Sequence, residues 1–189
     1  MRACLVVVLV SVVALSGCAS QEQKLAAASQ IKLTDDQFLP YRRYTTGSIS
    51  SPPIAVGTAG LSDKELIAQV DRKTGAVNVG LQFQIQYTSV LRRTYETARN
   101  TRAQTLPLKA VTRHSSDCSR KSGTCSFFEV LIVELPEAEL RACGPAGYPV
   151  KVFAHVGRDV EIDIPKSLIV ALFTEIDAGE KRVAAAAAH

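Results

Sequence analysis

The sequence predicts a mainly β fold: an antiparallel, sandwich-like domain with one C-terminal helix packed on it. Three stretches carry this prediction. Val77, Val79, Leu81, Phe83, Ile85 and Tyr87 alternate with Asn78, Gly80, Gln82, Gln84 and Gln86, the period of two that marks a strand with one buried and one wet face. Ser126–Leu135 is rich in large apolar residues, Phe127, Phe128, Val130, Leu131, Ile132, Val133 and Leu135. Leu168, Leu172 and Ile176, with Ile169 and Phe173 beside them, recur at helical spacing after Pro165. The 47% hydrophobic content is enough for a packed core.

The chain opens with Arg2 and an apolar run from Ala3 to Leu15 interrupted only by Ser11. This has the form of a signal peptide. It is shorter than the roughly 20 apolar residues that a membrane-spanning helix needs. Residues 18–60 read as a tether, since Gln21–Gln30 is polar and Ala-rich and Thr45–Gly60 is dense in Ser, Thr, Gly and Pro. Such composition gains too little apolar burial to offset its ordering entropy. Within it, Thr34–Leu39 is a candidate short helix capped by Thr34 and closed by Pro40.

The globular domain is expected over residues 61–179. Glu65–Val70 reads as a strand and Asp71-Arg72-Lys73-Thr74-Gly75 as a hairpin loop, with Gly75 at positive φ. Leu91–Ala98 is expected to pair with the alternating strand, with Leu91 and Tyr95 inward. A turn over Asn100–Gln104 and a strand over Leu106–Arg113 follow. The apolar residues of Ser126–Leu135 would point both ways, which predicts a central strand covered on both faces. Glu129 interrupts that run and is either near an edge or paired with an arginine. A short helix over Pro136–Cys143 follows, with Gly144 suited to a left-handed cap. Pro149–Val156 and Asp159–Ile164 form a hairpin across Gly157-Arg158 with Val160, Ile162 and Ile164 inward. The last helix would run from Pro165 to Asp177, stopped by Gly179, and residues 180–189 would be a disordered tail.

Leu15-Ser16-Gly17-Cys18, at the end of the apolar run, resembles the lipobox of bacterial lipoproteins. The resemblance implies that residues 1–17 are removed, that Cys18 carries the lipid (a diacylglycerol thioether and an acyl amide), and that the membrane is a partner through it. Ala19 in place of aspartate resembles the outer-membrane sorting pattern, hence a periplasmic-facing location. Ordinary secretion with a cut after Ser20 is the other reading of the same residues. The globular part is similar in outline to uncharacterised proteobacterial lipoproteins, on Asp71-Arg72-Lys73-Thr74-Gly75, the Cys118/Cys125 pair, Leu135-Pro136 and Gly147-Tyr148; this resemblance implies no activity.

With Cys4 in the signal and Cys18 lipidated, Cys118, Cys125 and Cys143 remain, so one intrachain bridge at most can form. Cys118 and Cys125 flank the turn-rich Ser-Arg-Lys-Ser-Gly-Thr and are expected to be joined, leaving Cys143 as a buried free thiol. A metal set of His114, Cys118, Cys125 and Cys143 lacks the short Cys pairs usual for zinc.

The net charge of +4, or +3 once Arg2 is lost, is too mild to argue for nucleic acid. No Gly-x-Ser-x-Gly elbow or phosphate-binding glycine loop occurs, and no cofactor is expected. His114 beside Ser115, Ser116 and Asp117 invites a triad reading, but triad members come from separate elements. One basic patch stands out: Arg92, Arg93, Arg99, Arg102, Arg113, Arg120 and Lys121. Gathered in space, it would suit an acidic envelope protein or anionic polymer. Two functions therefore remain: a non-enzymatic binding or assembly-supporting module, and a hydrolase-like envelope enzyme using His114 or Glu129.

Overall fold

A computed structural model describes residue 26, residues 29–50 and residues 60–187; the signal peptide, the lipobox and Cys18 lie outside the described residues. Among the described residues the fold is mainly β, with two antiparallel sheets, a C-terminal helix and no closed barrel. The first sheet runs in the order β1 (Lys32–Thr34), β2 (Tyr41–Thr45), β4 (Gly60–Asp71), β5 (Val77–Ser89), β9 (Cys125–Leu135), β8 (Leu108–Ser116), with β3 (Ile49–Ser50) also on β4. The second runs β11 (Val160–Ile164), β10 (Tyr148–Ala154), β6 (Tyr95–Asn100), β7 (Thr105–Leu106). Two helices complete the described chain, α1 (Glu137–Arg141) and α2 (Lys166–Ala187).

The core lies between the inner face of the first sheet and a layer made by the second sheet and α2. Leu81, Phe83, Ile85 and Tyr87 of β5 and Leu131 and Val133 of β9 face Val150, Val152, Ile162 and Ile164 and the apolar stripe of α2, Leu168, Leu172 and Ile176, all buried in one cluster. The alternation of β5 is the one expected. β4 is longer than expected and pairs with β5 along nearly its whole length. Gly75 closes their hairpin at φ +70°, and Asp71 caps the turn through Oδ1, which accepts from the backbone N–H groups of Lys73 and Thr74.

Several expectations are corrected. Residues 32–50 do not belong to a tether: they form β1 to β3, and Tyr44 and Arg42 are buried. These strands are short; β2 and β3 are held by pairing with β4, β1 by pairing with β2, and Arg42 binds Glu180 of α2. Thr34–Leu39 is not a helix. Thr34 ends β1, and the turn after it is stitched by Arg72, whose guanidinium donates to the Leu39 and Asp36 carbonyls and pairs with Asp35.

The strand expected at Leu91–Ala98 on β5 is instead β6, and it pairs with β10 in the second sheet; Leu91 is exposed in the preceding loop. The single strand expected at Leu106–Arg113 is divided at Pro107, which lacks a ladder donor, so that β7 joins one sheet and β8 the other. The outer face of β9 (Phe128, Val130, Ile132) is half-buried rather than covered. Gly147, at φ +82°, supplies the left-handed turn expected of Gly144.

The last helix passes through Gly179 to Ala187, so residues 180–187 are helical, not a disordered tail. Gly179 is not a stop signal. A Cβ there would lie 2.2 Å from Tyr44 Oη, so the glycine lets the buried tyrosine reach the helix backbone.

Candidate functional site

Antiparallel register sets where the loops fall. Ser89, the last residue of β5, lies opposite Cys125, the first of β9, and Ser116, the last of β8, lies opposite Ser126. The loop over residues 90–94 and the hairpin loop over residues 117–124 therefore leave the first sheet at one end. The second sheet brings a third loop to the same end. Ala154 pairs with Tyr95, the His155 N–H donates to the Thr94 carbonyl at 2.7 Å, and Gly157 lies against the Arg93 side chain. These three loops form the tip of the domain.

The 117–124 loop is tied by a disulfide between Cys118 and Cys125, with Gly123 at φ +67° completing its turn. The bridge consumes two thiols that the His114–Cys118–Cys125–Cys143 metal set would require. Cys143, past the end of α1, is a buried free thiol.

The 90–94 loop is held from below by Tyr87. Its hydroxyl accepts the backbone N–H of Arg93 at 2.8 Å and donates to Glu129 Oε1 at 2.7 Å. Burial, then the bond to Glu129, pushes the Tyr87 phenol well above its ordinary value. Glu129 lies on the inner face of β9 between Phe127 and Leu131 and is fully buried. Its second oxygen, Oε2, accepts from Arg113 Nε at 3.2 Å across the β8–β9 ladder. This resolves the expected alternative for Glu129 as the arginine pair, with a tyrosine added. Arg93 stacks its guanidinium over the Tyr87 ring, 4.8 Å from the centroid, and Arg92 lies 5.6 Å above Phe127. Arg93 is only 9% exposed, and its Nη1 has no hydrogen-bond partner among the described residues; the same holds for the neighbouring Tyr95 hydroxyl. Burial raises Tyr95 above the ordinary phenol value.

The tip thus gathers Arg92, Arg93, Arg120 and Lys121, with Arg113 just below on β8. Arg99 and Arg102 sit apart. Arg99 is the fifth residue of β6, opposite Lys151, and its guanidinium lies 5.4 Å from the Phe153 centroid at one side of a groove of about 370 Å³. Arg102 pairs with Glu139. His114 is exposed and tilts against Phe128 at 5.1 Å between centroids. Arg113 meets Glu129 on the inner face, so His114, one residue along the strand, faces outward, and the two candidate catalytic groups lie on opposite sides of the sheet.

Sequence reasoning missed three exposed aliphatic residues at this tip: Val90, Leu91 and Val156, exposed by 62%, 64% and 47%. It also missed Arg158 in the third loop. The available signal was that the alternation stops at Tyr87, so Val90-Leu91-Arg92-Arg93 follows a finished strand.

In comparisons with known proteins, no family model, no curated protein and no solved structure matches this chain.

Proposed function

We propose that this chain is a non-enzymatic binding module, held at the cell envelope by lipid on Cys18, whose three-loop tip engages an anionic partner. The observation that carries the reading is a surplus of unpaired cations at the tip. Arg92, Arg93, Arg120, Lys121 and Arg158 form no ion pair with any described residue, and the two acids there are already engaged. Asp117 accepts from the Ser116 hydroxyl, and Asp159 accepts from the Ala154 N–H and faces Lys151. Unpaired surface cations raise the local potential and attract acidic ligands.

The lipobox Leu15-Ser16-Gly17-Cys18 supports the anchor. A single acyl chain holds a protein only marginally, whereas two or more hold it stably. Growth of the host with labelled palmitate tests it: the wild type is expected to take up label and Cys18→Ser is not. Equal labelling of the two would end the anchor reading.

A further inference from the structure

We infer that the three-loop tip docks onto the anionic surface of the lipid bilayer, so that the domain stands tip-down on the membrane that holds its anchor. This deepens the preceding reading and rests on it.

Two features select a bilayer over a soluble acidic protein or polymer. First, the tip is amphipathic. Val90 and Leu91 share a loop with Arg92, Val156 shares one with Arg158, and Arg120 and Lys121 come from the third loop of the same tip. Aliphatic side chains ringed by cations suit an interface where the first enter the acyl boundary and the second meet phosphate headgroups. A soluble polyanion has nothing to offer the aliphatic groups.

Second, the chain enters from the tip side. β5 runs toward the tip and β4 away from it, β2 toward it, and β1 away from it. Lys32 is therefore the tipward end of β1. Lys32 is level with Gly80 through Thr45 and Ile67, nine residues below Ser89, or about 30 Å at strand rise. β1 is displaced from β5 by three strand spacings, about 14 Å. The fourteen peptide steps from Cys18 to Lys32 span up to about 48 Å, so the anchor can reach the plane of the tip.

The chain contains no Trp, which provides a single-site reporter. The full lipidated chain carrying Leu91→Trp would be reconstituted into vesicles of phosphatidylethanolamine and phosphatidylglycerol, some with brominated acyl chains. Phe38→Trp, at the opposite end of the sheet and 85% exposed, is the control. The indole in Leu91→Trp is expected to blue-shift and to be quenched by brominated lipid, and that in Phe38→Trp is not. Each cation near an anionic surface contributes about a fivefold change in partition. Adding Arg92→Ser, Arg120→Ser and Lys121→Ser should therefore lower the docked-to-free ratio roughly a hundredfold.

Emission in Leu91→Trp that matches Phe38→Trp would overturn the proposal. So would equal quenching in pure phosphatidylcholine, or a shift produced by polyglutamate and not by vesicles. Flotation keeps the two readings apart: a chain that floats with vesicles while its indole stays wet leaves the anchor intact and refutes the docking. If the chain does not float, the anchor reading fails, and titrating vesicles into Leu91→Trp reads the tip directly.

Discussion

Replacing Tyr87 by Phe removes one oxygen atom and two hydrogen bonds. The hydroxyl donates to a fully buried carboxylate, Glu129, and accepts the backbone N–H that fixes the 90–94 loop at Arg93. A hydrogen bond to a charged group is worth about 1.5–3 kcal/mol, and a buried donor left unpaired costs about 1–3 kcal/mol. Because the ring stays and packs as before, no cavity forms, and Tyr87→Phe is expected to cost about 3–5 kcal/mol. Arg113→Ala also strips a partner from Glu129, but the Arg113 side chain is 36% exposed. Solvent screens that pair and water can replace the guanidinium, so a loss of about 1–2 kcal/mol is expected. Urea unfolding followed by circular dichroism gives both values, and hydrogen exchange at the Arg93 amide shows whether the loop has come loose. A Tyr87→Phe loss below about 1 kcal/mol, or one smaller than that of Arg113→Ala, would refute the reading that the tyrosine is the main support of Glu129 and of the loop.

Three further outcomes follow from the structure. Cys118→Ser with Cys125→Ser should lower stability by roughly 2.5 kcal/mol, the loop-closure entropy of an eight-residue ring. Non-reducing peptide maps of the parent should show Cys118 joined to Cys125 and Cys143 alkylated only in denaturant; a Cys143 bridge would refute the assignment. Gly179→Ala would stabilise an exposed helix by about 1 kcal/mol. Here the new Cβ meets Tyr44, so overpacking of about 1–3 kcal/mol should leave the variant less stable; a rise in the urea midpoint would contradict this.

Burial pushes the Tyr148 phenol up to about 12, so above pH ~10 the folded state retains a proton that the unfolded state loses. Stability present below pH ~10 should then fall between pH ~10 and ~12, by on the order of 2 kcal/mol. Tyr148→Phe should flatten that part of the profile, and an unchanged slope would exclude Tyr148 as its source.

What the sequence made legible was whatever depends on burial along a single strand or helix. The β5 alternation, the apolar stripe of α2, the Gly75 hairpin and the Cys118–Cys125 loop are all written locally. What stayed hidden depends on distant partners. β2 has only Arg42 and Tyr44 to recommend it. Arg42 is buried because Glu180, 138 residues later, receives it, and Tyr44 fits because Gly179 has no side chain. The same pair of contacts explains why Gly179 reads as a helix stop and is not one. Leu91 reads as an inward strand residue because the bond that holds its loop, from the Arg93 N–H to the Tyr87 hydroxyl, is a tertiary contact.

The basic patch divides for a similar reason. Seven cations read as one group in sequence, but strand direction sends Arg92, Arg93, Arg120 and Lys121 to one end of the fold. Arg99 and Arg102 pass down β6 toward the other, where Phe153 and Glu139 engage them. Of these two groups, exposed aliphatic residues accompany the charge only in the first. A patch meant to keep the protein soluble has no need of Val90, Leu91 and Val156 in the same tip, and exposed apolar groups accompanied by charge mark interaction sites. The register that puts these loops at one end also makes Lys32 the tipward end of β1. If Cys18 is the anchor, the membrane is the first anionic surface this tip meets.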